Sequence, residues 1–137
     1  MELKGKKHRI VSKGLNIFGI CNNPYCEENQ KEVIYRRQLN EEGLDFILNN
    51  ELNNIICPKC NNIISPKTFG FWKCEYQFVG KKYENGKIIE YESKIYETKS
   101  NVFDYHIPSS KNGISNWKEL HIYVIKRQKI KYKSNHI

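Results

Sequence analysis

Four of the five cysteines form two close pairs whose spacing is typical of a metal site. Cys21 and Cys26 enclose the stretch CNNPYC, and Cys57 and Cys60 enclose CPKC. Two such pairs, separated by about thirty residues, can supply four thiolates to a single tetrahedral zinc ion. A site closed by four thiolates leaves no open position for a substrate. We therefore expect one structural Zn²⁺ that stabilises the fold and takes no part in catalysis.

Each cysteine pair requires a tight turn, and the intervening residues suit one. Pro24 and Pro58 lie inside the two turns, where a fixed φ is an advantage. Asn61 and Asn62 follow the second turn, and asparagine tolerates the left-handed backbone that such turns need. We expect backbone N–H groups of both turns to point at the cysteine sulfurs.

Other interpretations of the cysteines remain open. Cys74 stands alone in FWKCEYQF and is expected in the core, although it could replace one of the four ligands. All five could be buried free thiols, since cysteine packs as a small hydrophobe. A redox function for CPKC would need an exposed thiol of low pKa at a helix start, and the following NNII has no helical pattern. The histidines stand apart from the cysteine pairs and are expected in the core or on the surface: His8, His106, His121 and His136.

The chain after Thr68 has the alternation of β-strands. Residues 68–83 and 86–99 predict two strands joined by a two-residue turn at Asn85 and Gly86, the strongest short hairpin signal. Glu84 then pairs with Lys87. This register collects one apolar face, which is expected to contain Trp72, Cys74, Tyr76, Phe78, Gly80, Tyr91, Ser93 and Ile95.

Further strands are predicted at residues 33–39, 101–107 and 117–127, whereas residues 40–54 fit either a helix or a strand with loops. The fold class is therefore mainly β with minor α, as a small antiparallel sheet or open barrel with a zinc-ribbon-like knuckle. We expect a single zinc-containing domain at residues 14–125. A basic extension at 1–13 and a basic tail at 126–137 flank it.

The net charge of +8 is concentrated in these two flanks. Residues 1–13 hold five Lys or Arg and one Glu, and residues 126–133 hold five Lys or Arg. Clustered cations favour a polyanionic partner because each one on a phosphate releases counterions. The cations expected to contact the phosphates of such a partner are Lys4, Lys6, Lys7, Arg9, Lys126, Arg127, Lys129, Lys131 and Lys133, to which Arg36 and Arg37 could add.

No motif for catalysis stands out, and the chain is not expected to be an enzyme. The sequence lacks a G-x-S-x-G, P-loop or H-E-x-x-H motif. Asp104 and His106 lie two residues apart on one predicted strand face and could cooperate, but they are expected to be ordinary surface residues. No apolar run is long enough for a signal peptide or a membrane span. We expect a cytoplasmic protein in a reducing compartment.

The cysteine pattern resembles a widespread eukaryotic family of small four-cysteine zinc proteins. The similar features are GLNIFGICNNPYC, ICPKC, FGFWKCEYQFVGKK, a late YHIP and the strand NWKELHIYV, and they span about residues 14–125. All five cysteines fall on the family pattern, Cys74 included. The abundance of Asn, Lys and Ile and the short basic ends make the chain most similar to the microsporidian ribosome dormancy factors of this family.

The resemblance implies a function in ribosome hibernation. Such a factor occupies the tRNA exit site of the small subunit, beside the mRNA exit path, on idle ribosomes. It contacts rRNA and ribosomal proteins and inhibits translation by steric blocking, and we expect it to be monomeric. The alternative is a zinc-ribbon-like adaptor in a ubiquitin-related or transcriptional assembly, with no ribosome role.

Overall fold

The prediction of a mainly β protein is confirmed. The computed structural model describes residues 10–99, 102–106 and 117–126. Its strands are β1 Gly14–Ile20, β2 Glu32–Gln38, β3 Leu44–Ile47, β4 Ser65–Trp72, β5 Cys74–Glu84, β6 Lys87–Glu92, β7 Tyr96–Glu97, β8 Asp104–His106 and β9 Trp117–Lys126. One short helix, α1 Leu48–Glu51, continues into a 3₁₀ turn at Leu52–Asn54.

Within the described ranges the strands form two open antiparallel sheets and no closed barrel. The first sheet has the order β2-β1-β4-β8. The second has the order β3-β9-β5-β6, and β7 adds to the edge of β5 beyond the end of β6. The ladder between β5 and β9 runs from Cys74 opposite Lys126 to Lys82 opposite Trp117 and is the longest in the molecule.

The core lies between the two sheets. Phe69 and Phe71 of β4 face Tyr76 and Phe78 of β5, and the rings of Phe71 and Tyr76 stack with their centroids 3.6 Å apart. The alternating residues of β9 are buried as the sequence predicts: Leu120, Ile122 and Val124. Each side chain of this kind stabilises the fold by about 1.5–3 kcal/mol on full burial. The sheets are therefore held together chiefly by aromatic and branched aliphatic side chains.

The predicted hairpin is confirmed in its turn and its register. Glu84 pairs with Lys87, while Asn85 and Gly86 adopt φ angles of 51° and 77°. Two successive residues with positive φ are what a type I′ turn requires. The prediction that Ile95 lies on the buried face is wrong. Ile95 is 63% exposed because the β5–β6 ladder stops after residue 92.

The prediction of one continuous strand over residues 68–83 is also wrong. The chain turns at Lys73, whose φ is 52°, and passes there from the first sheet into the second. Phe71 therefore points to the core from β4, whereas Trp72 points to the other side of the first sheet. The single left-handed residue reverses the alternation. For this reason Trp72 and Cys74 do not share a face.

Residues 40–54 contain both of the structures that the sequence left open, because β3 and α1 follow each other there. The strand predicted at 33–39 is confirmed as β2. The strand predicted at 101–107 is shorter, and residues 101 and 107 lie outside the described part of the chain.

A second, smaller apolar cluster covers the other side of the first sheet. Val11 packs there on Phe18 and Ile34. The fully buried Asn16 accepts a hydrogen bond from the Ser12 N–H at 2.9 Å and donates one to the Ser12 carbonyl at 2.9 Å. The folded region therefore extends at least to Val11, ahead of the boundary predicted at Gly14.

Candidate metal centre

The four predicted ligands come together at one end of the first sheet. Cys21 directly follows β1, Cys26 lies in the loop to β2, and Cys57 and Cys60 lie in the loop before β4. Their four Sγ atoms all lie within 4.8 Å of one another. The Cys21–Cys60 and Cys26–Cys57 separations are 3.7 Å and 4.0 Å. Zinc–sulfur bonds of about 2.3 Å in a tetrahedron place the sulfurs about 3.8 Å apart.

Local hydrogen bonds give each loop the shape that the ligands need. The Cys57 N–H donates to the Asn62 carbonyl at 2.9 Å, and the Asn61 N–H donates to the Cys57 carbonyl at 2.8 Å. Asn61 has a φ of 66°, so the predicted left-handed asparagine is confirmed. In the first loop, the Gln30 N–H donates to the Cys21 carbonyl at 2.6 Å. Both turns are thus closed by the backbone itself.

Backbone N–H groups also point at sulfur, as the turn sequences predict. The Glu28 N–H lies 3.3 Å from Cys26 Sγ, and the Lys59 N–H lies 3.4 Å from Cys57 Sγ. Such donors stabilise the charged thiolate over the neutral thiol. The two loops are joined further by an ion pair between Lys59 and Glu27 at 3.2 Å.

The thiols of the cluster differ strongly in acidity. The side chain of Asn23 and the backbone N–H of Asn62 lower the pKa of Cys60 to about 6. The backbone N–H of Asn23 lowers the pKa of Cys21, but burial and the neighbouring thiols outweigh it and raise that pKa to about 12. A divalent cation at the centre favours the thiolate form of every ligand, which is why metal binding to such a site releases protons.

The cluster is continuous with the main core. Cys21 and Cys57 are fully buried among core side chains, and their neighbours Ile55 and Ile64 are buried too. Four sulfur donors this close together suit Zn²⁺, and four protein ligands would fill its usual coordination sphere. The donor set and its spacing therefore fit the expected ion.

Cys74 lies in the core, away from the cluster. Its Sγ lies 3.9 Å from the Gly14 carbonyl, at the opposite end of β1 from Cys21. Burial raises the pKa of Cys74 to about 12, so its thiol stays neutral. The prediction of a core residue is confirmed. Replacement of one of the four ligands by Cys74 is excluded because the ends of β1 are about 20 Å apart.

The two described histidines also lie away from the cysteine cluster. His106 Nδ1 is 3.2 Å from the Tyr76 hydroxyl, which donates to Asp104 Oδ2 at 3.3 Å. Asp104 and His106 share one strand face as predicted, but they are half-buried against Tyr76 and are not ordinary surface residues. His121 bridges Asp45 and Glu119, each at 3.2 Å. His8 and His136 lie outside the described residues.

Of the nine predicted rRNA contacts, only Lys126 is described. It ends β9 and pairs with Glu41 at 2.9 Å. The other eight lie outside the described ranges: Lys4, Lys6, Lys7, Arg9, Arg127, Lys129, Lys131 and Lys133. Arg36 is exposed, whereas Arg37 is half-buried with its guanidinium 5.7 Å from the centre of the Phe46 ring.

Lys13 of the first basic flank and Lys126 of the second lie at the same end of the folded region. Gly14, which follows Lys13, pairs with Trp72, and Lys126 pairs with Cys74. Only Lys73 separates Trp72 from Cys74 in the chain. We call the end that carries Lys13, Lys73 and Lys126 the basic end, and it lies opposite the cysteine cluster along β1.

Comparison with family models, with curated proteins and with solved structures found no match to this chain. Among the described residues, no helix is long and apolar enough to cross a membrane.

Proposed function

We propose that this chain is a non-enzymatic zinc protein that binds the small ribosomal subunit and keeps idle ribosomes inactive. It occupies the tRNA exit site beside the mRNA exit path and acts in the cytoplasm. The observation that carries the proposal is the basic end, where Lys13 of one flank and Lys126 of the other lie near Lys73. The resemblance to ribosome dormancy factors is the reason for choosing rRNA as the polyanionic partner.

The zinc ion has a structural task in this proposal. Cys21, Cys26, Cys57 and Cys60 hold one Zn²⁺ and fix the loop after β1 to the loop before β4. A small domain gains much of its stability from such an ion. The metal keeps the first sheet in shape, and no residue needs to perform chemistry.

The basic end suits rRNA because Lys13, Lys73 and Lys126 come from separate parts of the chain and lie there together. In the sequence, residues 1–9 and 127–137 each hold Lys and Arg in excess of acidic residues. Binding to phosphates releases counterions, so affinity must fall steeply with salt. Inhibition is steric: a folded body in the tRNA exit site excludes deacylated tRNA.

Sucrose-gradient sedimentation of the tagged protein from native extract, with and without RNase, tests the proposal. We expect migration with small subunits or monosomes at physiological salt and release at high salt. The quadruple change of Lys126, Arg127, Lys129 and Lys131 to Ala should weaken binding and reduce the salt dependence. A matched control changes four lysines of the second sheet and its loops to Ala: Lys81, Lys87, Lys94 and Lys118. Protein that stays at the top of the gradient with zinc bound contradicts a ribosome function.

One observation favours the adaptor alternative. Tyr25 is 95% exposed and Ile63 is 58% exposed, and both belong to the cysteine loops. A rigid loop with protruding apolar groups is suited to a protein pocket. Removal of residues 1–9 and 127–137 separates the two functions, because an adaptor keeps its partner and a ribosome-binding factor loses most of its affinity.

A further inference from the structure

The side of the first sheet that faces away from the second sheet carries a group of aromatic rings. Phe18 lies at its centre, with Phe103 at 5.9 Å and Tyr105 at 5.4 Å between ring centroids. Tyr105 is 56% exposed, and Trp72 is half-buried beside the same cluster. We call this surface the aromatic face. Exposed rings on an open sheet are available for further stacking.

Strand register places two of these rings along one line. Tyr105 lies opposite Gly70, and Trp72 follows two residues later on the same face of β4. This separation is about 7 Å along the strand. Gly70 allows the arrangement, because a Cβ at that position would meet the Phe103 ring at 2.1 Å. The face therefore presents rings in series.

Two cationic side chains, those of Lys73 and Arg36, lie beside the aromatic face. Lys73 Nζ lies 4.9 Å from the centre of the Trp72 ring. Arg36 is exposed and donates to the Ile10 carbonyl at 3.3 Å on the same side of the sheet. Among the strand residues that point to this side, the one carboxylate is Glu32, at the end near the cysteines.

The opposite side of the molecule has the reverse charge. The strand residues on the outer side of the second sheet include six carboxylates, those of Asp45, Glu75, Glu90, Glu92, Glu97 and Glu119. Lys81 is the one lysine among them, and we call this surface the acidic face. A polyanion is repelled there and attracted to the aromatic face.

We infer that the aromatic face binds single-stranded RNA, with one base stacked on Tyr105, a neighbouring base against the half-buried Trp72 ring, and phosphates on Arg36 and Lys73. A sheet that shows aromatic rings and cations to solvent has the chemistry that single-stranded RNA needs, since every base has a π-face. The inference builds on the proposed function, because it names the surface through which rRNA is held. It needs no base-specific hydrogen bond, so binding tolerates many sequences.

Fluorescence anisotropy of the full chain with a fluorescein-labelled single-stranded oligouridylate tests the inference. Tyr105→Ala should weaken binding about tenfold, the value of one stacked base. Tyr105→Phe should bind within about twofold of the unchanged chain, since the ring is kept. The matched control is Tyr123→Ala, which removes a 37% exposed ring from the acidic face and should leave affinity unchanged.

The cations have their own variants. Arg36→Ala and Lys73→Asn should each reduce the salt slope of binding by about one. Asparagine is chosen because it tolerates the positive φ of residue 73. If Tyr105→Ala loses its zinc or its fold, Tyr105→Leu takes its place, since leucine keeps apolar volume without a π-face.

The outcomes separate this inference from the proposed function. Equal affinity of Tyr105→Ala, Tyr123→Ala and the unchanged chain overturns the inference, even if all three migrate with ribosomes. No binding of the oligonucleotide by the unchanged chain overturns it too. A selective loss in Tyr105→Ala supports it, and it then holds even for a chain that stays at the top of the ribosome gradient.

Discussion

The two sheets differ both in what holds them and in what they show to solvent. The loops of the first sheet carry all four clustered cysteines, and its outer side is aromatic and cationic. The second sheet holds none of those ligands and depends on the long β5–β9 ladder, and its outer side is acidic. The two sheets are therefore expected to be stabilised in different ways. We expect the metal to set the stability of the first sheet, and the β5–β9 ladder with its buried side chains to set the stability of the second sheet.

The largest expected effect comes from Cys57→Ser, which should remove zinc and destabilise the first sheet by more than about 4 kcal/mol. Elemental analysis of bound zinc and hydrogen exchange resolved by sheet measure this. We expect β1 and β4 to lose protection before β5 and β9. Cys74→Ala is the matched control, because it removes a buried thiol without touching the cluster. Full zinc content and full thermal stability in Cys57→Ser would falsify the structural metal.

A glycine in each sheet gives the next comparison. A Cβ at Gly80 would meet the Glu119 carbonyl oxygen at 2.1 Å, so Gly80→Ala must open the β5–β9 ladder and should cost about 3 kcal/mol. At Gly70 the obstacles are the Phe103 ring at 2.1 Å and the Phe18 ring at 2.9 Å, and these side chains shift more easily than a backbone carbonyl. Gly70→Ala should therefore cost about 1–2 kcal/mol. Urea unfolding measures the free energy of unfolding of both variants. A larger loss of stability in Gly70→Ala than in Gly80→Ala would contradict the expected order.

Asn16 tests how the N-terminal segment is held on the aromatic face. Asn16→Ala removes both hydrogen bonds to the partly buried backbone of Ser12, at a cost of about 1–2 kcal/mol. Exchange of the Ser12 amide should quicken well beyond that of amides in the second sheet. Unchanged protection at residue 12 would show that Val11 alone anchors the segment.

The smallest effect is a pair of opposite pH responses, one in each sheet. Burial lowers the pKa of His121, but Glu119 and Asp45 outweigh it and the net shift is upward. Burial also lowers the pKa of His106, and Asp104 only partly offsets it. The His121 contribution to stability is present below about pH 6.5 and is lost as pH rises through the folded pKa. The His106 contribution is lost as pH falls below about 6.5.

A single NMR titration of the histidine rings measures the pKa values of both His121 and His106. We expect His121 to titrate above the usual range and His106 below it. The reverse order would mean that the contacts with Asp45 or Asp104 are absent in solution.

The sequence predicted those parts of the fold that local chemistry decides. The Asn85-Gly86 turn has one strongly preferred geometry, so the hairpin register followed from it. The spacing of the cysteines required one site, and Asn61 adopted the expected left-handed turn. These features depend on a few adjacent residues and need no knowledge of distant contacts.

The features that the sequence did not predict depend on the backbone angle φ of Lys73 and on strand pairing between distant residues. Nothing in the sequence indicates that Lys73 adopts a φ of 52°, because Gly and Asn are the residues that commonly take such a conformation. The resulting division into two sheets moved Trp72 to the aromatic face. The strand predicted at 101–107 alternates Phe103 and Tyr105 with Asp104 and His106, a pattern that indicates buried aromatics, whereas the structure exposes Tyr105 and turns Asp104 and His106 to Tyr76. The segment FGFW, residues 69–72, has a glycine between aromatic residues. This glycine was the sequence signal of close packing against the neighbouring strand.

The most direct test of the account compares lysine reactivity in the free protein and in its complex with purified small subunits. Acetylation followed by mass spectrometry reports each lysine separately. The account predicts protection of Lys13, Lys73 and Lys126, while Lys81 and Lys118 of the second sheet react as in the free chain. Protection confined to Lys81 and Lys118, or no protection of any lysine, would contradict it.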